Sequence, residues 1–179
     1  MSPSSTLAGV TRERIHVFVG CALGLAVAAA LARVTGSVWV FPSLGPTIML
    51  QVERPLAPDS SPRNTVIGHV VALLAGYFSL VVTGLTDAPS ALTAGVSWPR
   101  VAAAALSVAV TAVVLLVLDA SHPPAGATTL IVSLGLLHQP GQLVVVAGGV
   151  VVVTAVAVLY NRLTGRGHPL WASDSSRSR

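Results

Sequence analysis

Four apolar runs, residues 15–34, 65–85, 100–118 and 142–160, each approach the roughly 20 residues that a helix needs to cross a bilayer. Hydrophobic residues make up 53% of the sequence and charged ones 9%, against about 25% charged in a soluble domain. Such a chain cannot cover a water-facing surface, so the expected class is an all-α integral membrane protein. The first run is longer than a signal-peptide core and is read as a retained span. It carries Gly20 and Gly24 at the spacing of a close helix contact, expected here within the chain. Cys21, the single cysteine, is read as a small packing residue.

All ten basic residues are arginines, and most lie near the chain ends. They flank apolar runs without interleaved aromatics. The charge therefore reads as a topology signal, and no nucleic-acid partner is expected; the partners expected are the lipid bilayer and a small solute.

Two shorter apolar stretches, 38–52 ("VWVFPSLGPTIMLQV") and 123–137 ("PPAGATTLIVSLGLL"), carry proline and glycine near their starts. As helices they would reach only about 22 Å of a roughly 30 Å hydrocarbon core. Each reads as an extended approach followed by a short helix that begins inside the membrane, with proline in its first turn. They align without gaps: Pro42 with Pro123, Gly45 with Gly126, Thr47 with Thr128. Each lies between two long runs. The expected architecture is four full-length transmembrane helices plus two short Pro/Gly-broken helices in a 3+3 inverted repeat. Its segments are an N-terminal arm at 1–14, a first repeat at 15–85, a connecting loop at 86–99, a second repeat at 100–162 and a tail at 163–179. Short, Gly/Pro-interrupted segments at corresponding positions of two halves point to a transporter's binding site.

Two topologies fit. With six crossings and both termini inside, Arg12, Arg14, Arg54, Arg63, Arg162, Arg166, Arg177 and Arg179 face Arg33 and Arg100 across the membrane. With four crossings and two re-entrant stretches, Arg54 and Arg63 move out and Arg100 moves in. Both keep the termini on one side, cytoplasmic by the arginine bias.

A helix that starts within lipid presents unpaired N–H groups and a partial positive charge, which suits an anion. Ser43, Gly45 and Thr47 stand at one such start, and Gly126, Thr128 and Thr129 at the other. His122, before Pro123, is either a capping histidine or a gate and proton-coupling group. Asp119 either pairs with His122 or marks the membrane boundary, the reading preferred. Arg63 is by default a positive-inside residue; Asn64 or Thr65 is the expected cap of the following helix. His69 lies inside that helix, where an ionisable residue is a functional candidate. Arg63, Asn64, His69 and Asp119 thus form a gating or coupling set. The five histidines show no short metal-ligand spacing, and GxSxG and HExxH are missing. No metal, cofactor or enzymatic activity is expected.

"HPPAGATTLI", "SPRNTVIGH" and "LYNRLTGRGHP" together resemble the HPP family of integral membrane proteins, over roughly residues 14 to 170. "FPSLGPTIML" is similar to that family's Gly-rich segment, with "PSLGP" standing where "GSFGA" is usual. The resemblance implies a four-span membrane protein and a transporter, with nitrite transport associated with plant and cyanobacterial members. The expectation is a bacterial inner-membrane transporter of a small monovalent inorganic anion, nitrite first and nitrate second. A membrane scaffold and, further behind, a membrane enzyme using His122 are the alternatives, and homo-oligomerisation stays open.

Overall fold

The computed structural model describes residues 3–173. Those residues are helical and contain no strand. The long helices are α1 (Pro3–Thr35), α3 (Pro62–Thr83), α5 (Trp98–Val117) and α7 (Pro140–Leu163). All four are long and apolar enough to cross a bilayer. Between them lie short helices α2 (Leu44–Glu53) and α6 (Ala125–Ser133), a 3-10 turn at Pro58–Ser60 and the four-residue α4 (Ala91–Ala94).

The boundaries follow local chemistry. Proline opens α3, α5 and α7 in the first turn, where a missing N–H costs nothing. The cap of α3 is Ser61, whose Oγ accepts the Asn64 N–H at 3.3 Å. It replaces the expected Asn64 or Thr65, because the helix starts at Pro62 and places both inside it. Gly84, at φ 69°, ends α3 in the left-handed region that glycine enters without a Cβ penalty. Gln142 Oε1 accepts the amides of His138 and Gln139 and closes the start of α7.

The segment expected as an arm is helical from Pro3, so α1 runs well ahead of residue 15. The connecting loop holds α4, with Trp98 85% exposed at its end. The tail continues past α7, where the Arg63 N–H donates to the Trp171 carbonyl. From residue 174 on, the tail lies outside the described residues.

Lipid tails are as apolar as the side chains, so the helices associate through close packing over small residues. A Cβ on Gly24 would lie 2.7 Å from Ile48 Cδ1, and one on Gly20 would lie 2.9 Å from Val52 Cγ1. Gly20 and Gly24 therefore serve a contact within the chain. α2 runs antiparallel to α1, since residues 48 and 52 meet 24 and 20. On α3, Gly68 faces His122 and Ala125, and Gly76 faces Val132. α3 and α6 thus run parallel. Gly149 of α7 sits under Phe41 and Leu44, and Asn161 reaches the Gln51 carbonyl, so α7 and α2 run parallel too. Leu44, Ile48 and Val52 form the core with Val146, Val150 and Val153.

Contacts at the two ends fix the layout. At one end Arg166 lies 3.9 Å from Glu13, and Arg63 donates to the carbonyls of Leu118 and Asp119. At the other, Arg100 donates to the carbonyls of Pro89 and Ser133. Phe18, Leu74, Val144 and Val117 lie exposed on the outer surface.

Candidate functional site

α2 starts at Leu44 and α6 at Ala125, which are aligned positions of the two Pro/Gly stretches. Their first turns meet in the bundle. Ser43 Oγ and Thr128 Oγ1 are 2.6 Å apart, and both residues are buried. His69 of α3 lies between the turns, with Nδ1 2.7 Å from Thr128 Oγ1 and Nε2 3.0 Å from Thr47 Oγ1. Thr47 Oγ1 donates to the Ser43 carbonyl at 2.8 Å.

Donor counting orients this ring. A carbonyl only accepts, so the Thr47 proton goes to Ser43. Thr47 Oγ1 must then accept from His69 Nε2–H. His69 Nδ1 is left as an acceptor for the Thr128 hydroxyl, and Thr128 accepts from Ser43. Every contact is satisfied with His69 neutral and protonated on Nε2. Buried polar groups in lipid need such closure.

His122 sits against this ring, seated on Gly68, where a Cβ would lie 2.8 Å from His122 Cβ. Its ring is edge-on to His69 at 5.0 Å between centroids. Its Nδ1 is 2.7 Å from the Asp59 carbonyl and therefore carries a proton; its Nε2 is 3.5 Å from Thr47 Oγ1.

Two cavities, both open to the outer surface, flank the meeting point. One, of about 320 Å³, is walled by Thr111, Leu115, Ser121, His122, Pro123 and Gly126. The other, of about 330 Å³, lies among Pro46, Leu50, Arg54, Pro123, Pro124 and Ala127. Apart from chain neighbours and the helix's own backbone, no atom lies within 4 Å of a Cβ built on Gly126 or on Gly45. Gly126 borders the first cavity, whereas Gly45 is in the wall of neither.

The structure thus brings Ser43, Thr47, His69, His122 and Thr128 together. The other candidates stand apart. Thr129 Oγ1 is buried without a hydrogen-bond partner among the described residues. The first-turn amides of α6, from Ala125 to Thr128, fold back onto the carbonyls of His122, Pro123 and Pro124. Arg63 binds Asn64 Oδ1 besides its two carbonyls, and Asn64 Nδ2 donates to the Ser121 carbonyl, so both tie α3 to the end of α5. Asp119 is exposed, at φ 46°, beyond the end of α5.

A second polar cluster was not anticipated from the sequence. Gln51, fully buried, donates through Nε2 to Thr65 and Thr154. Its carbonyl accepts from Asn161, which also meets His16 at 3.1 Å and His168 at 2.9 Å. Burial holds the His168 imidazole below its ordinary value, helped by nearby Arg162 and opposed by the Ser60 backbone. The Ser43, Thr47, Gln51 stripe has helical i, i+4, i+8 spacing, and it was the available signal for this cluster. Among the described residues no group of three His, Cys, Asp or Glu is placed to hold a metal ion.

Comparisons with curated proteins and with solved structures each gave no match. The family profile described as "HPP, transmembrane region" matches residues 7–169. That match spans all four long helices from Gly9 onward and both short ones, and on it the chain belongs to the HPP family of membrane proteins.

Proposed function

We propose that the chain is a transporter, not an enzyme, for a small monovalent inorganic anion, with nitrite the leading substrate and nitrate the second. The observation that carries this reading is the meeting of two short helix starts at Ser43 and Thr128 inside an apolar bundle. A helix start contributes about 0.3–1 kcal/mol toward an anion when exposed, and up to about 2 when partly buried. The dipoles of two such ends, with the His122 imidazole in the wall of the first cavity, can hold a weakly hydrated monovalent ion. They cannot replace the hydration of sulfate or phosphate, since an unpaired buried charge costs far more.

The finer architecture belongs to the same proposal. The halves are an inverted repeat of six membrane legs, two of them broken by an extended approach. The packing supports this. α2 packs on α1 and on α7 of the other half, and α6 packs on α5 and on α3 of the other half. Gly68 under His122 and Ala125 corresponds to Gly149 under Phe41 and Leu44. The end holding Arg12, Arg14, Arg54, Arg63, Arg162 and Arg166 is cytoplasmic by the arginine bias, in a bacterial inner membrane.

Uptake into proteoliposomes from a panel of nitrite, nitrate, sulfate and phosphate tests the reading. Nitrite or nitrate uptake well above sulfate and phosphate is expected. Equal exclusion of all four contradicts it and favours a membrane scaffold.

A further inference from the structure

The hydrogen-bond ring leaves one base in the cluster with an unused lone pair. His69 spends both ring nitrogens, and Ser43, Thr47 and Thr128 spend their hydroxyl protons, within the ring. His122 spends its Nδ1 proton on the Asp59 carbonyl. Its Nε2 then holds a lone pair facing Thr47 Oγ1, an atom already accepting from His69 and 3.5 Å away. Adding a proton to His122 Nε2 breaks nothing and creates a second donor toward Thr47. Adding one to His69 forces the Thr128 and Ser43 hydroxyls to reverse and strands the Ser43 proton in a buried site.

We propose that His122 Nε2 is the proton-binding position of the bundle and that the transported anion enters the adjoining cavity only together with that proton. This rests on the anion-transport reading and assigns its coupling. The proton comes from bulk water, resides on His122 while the anion occupies the cavity beside it, and leaves with the anion. The bound pair is neutral, which removes the cost of an uncompensated charge in an apolar bundle.

The groups around His122 fix the stoichiometry at one. From α3 the facing titratable group is His69, and two imidazolium rings with centroids 5.0 Å apart repel, so the pair holds a single extra proton. From the 3-10 turn the contact is the Asp59 carbonyl, while the Asp59 carboxylate lies 3.3 Å from Arg54. From α2 it is Thr47, which does not titrate. From α5 the cavity wall is Val108, Thr111, Ala112, Leu115 and Leu116, none of which titrates. Arg63 is engaged with Asn64 and the carbonyls of Leu118 and Asp119.

The test uses the full chain, labelled with 15N-histidine, in nanodiscs. In gluconate buffer without nitrite, the spectrum should show neutral His69 protonated on Nε2 and neutral His122 protonated on Nδ1. Acidification should convert His122 to imidazolium before His69. Conversion of His69 first overturns the assignment, whatever the substrate. Nitrite added at constant pH should take up about one proton per bound anion, and in proteoliposomes one unit of pH gradient should shift nitrite accumulation about tenfold. In His122→Gln both effects should vanish. Nitrite bound or transported with no proton uptake by the wild type overturns the coupling and leaves the anion reading standing. Failure to bind nitrite or nitrate at any pH removes the anion reading itself, and the histidine titration then decides the proton position alone.

Discussion

Ser43 and Thr128, 85 residues apart in the chain, share a 2.6 Å hydrogen bond between the first turns of α2 and α6. The contact makes two distant Pro/Gly stretches one polar unit, closed by His69 and Thr47. Removing one hydroxyl leaves its partner buried and unpaired, which costs about 1–3 kcal/mol. Ser43→Ala and Thr128→Val should each lower stability by that order. The double variant should lose clearly less than the sum, because both act on one ring. Thermal unfolding of purified protein checks this, and strictly additive losses would count against a closed ring.

The glycines divide into two sets. Gly68 has His122 at its surface, and an added methyl there meets His122 Cβ at 2.8 Å. Gly68→Ala should cost about 1–3 kcal/mol through overpacking. Gly45→Ala and Gly126→Ala meet nothing within 4 Å and should unfold at or above the wild-type temperature. Equal destabilisation at all three positions would contradict the packing around His122.

Much of the bundle was legible in the sequence. The four apolar runs coincide with α1, α3, α5 and α7 because lipid demands apolar, uninterrupted helices. The gapless match of Pro42 and Gly45 with Pro123 and Gly126 located the starts of α2 and α6, since those residues shape the chain locally. What tertiary contact decides stayed hidden. His16 gains its partner Asn161 from 145 residues away, and hydropathy carries no trace of that. Thr129 and Thr128 look alike in sequence, yet only Thr128 turns toward Ser43, a choice made by the helix phase set against α3.

Topology gives a third prediction. Leu56 is 67% exposed in the segment after α2, Thr164 lies exposed after α7, and Leu92 is 85% exposed in the connecting loop. In a Cys21→Ala background, Leu56→Cys and Thr164→Cys should resist an impermeant maleimide in intact cells, while Leu92→Cys should react. Ready labelling of Leu56→Cys from outside, with Thr164→Cys still protected, would replace six legs by four spans with re-entrant stretches; labelling of both would reverse the orientation instead.

The cluster of His16, Gln51, Asn161 and His168 supplies a pH dependence. His168 accepts from Asn161 Nδ2 on Nδ1 at 2.9 Å and is held, chiefly by burial, below its ordinary 6.5. Between the folded value and 6.5 the unfolded chain binds more protons than the folded one. This contribution is whole above 6.5 and is lost as pH falls through the folded value. The unfolding temperature should therefore drop on acidification below 6.5, and His168→Gln should flatten that drop. An unchanged pH profile in the variant would place the acid sensitivity elsewhere.

The most direct measurement of the central claim is initial nitrite uptake into proteoliposomes by the wild type, Gly126→Ala and Gly126→Val. Gly126 borders the cavity that His122 walls, and its Cβ position is open. Added side-chain volume there should fill the cavity without disturbing the fold. The expected result is uptake by the wild type, a reduced rate for Gly126→Ala and uptake near the empty-vesicle level for folded Gly126→Val. Wild-type rates in folded Gly126→Val, or no nitrite uptake by the wild type itself, would contradict an anion path through the meeting point of α2 and α6.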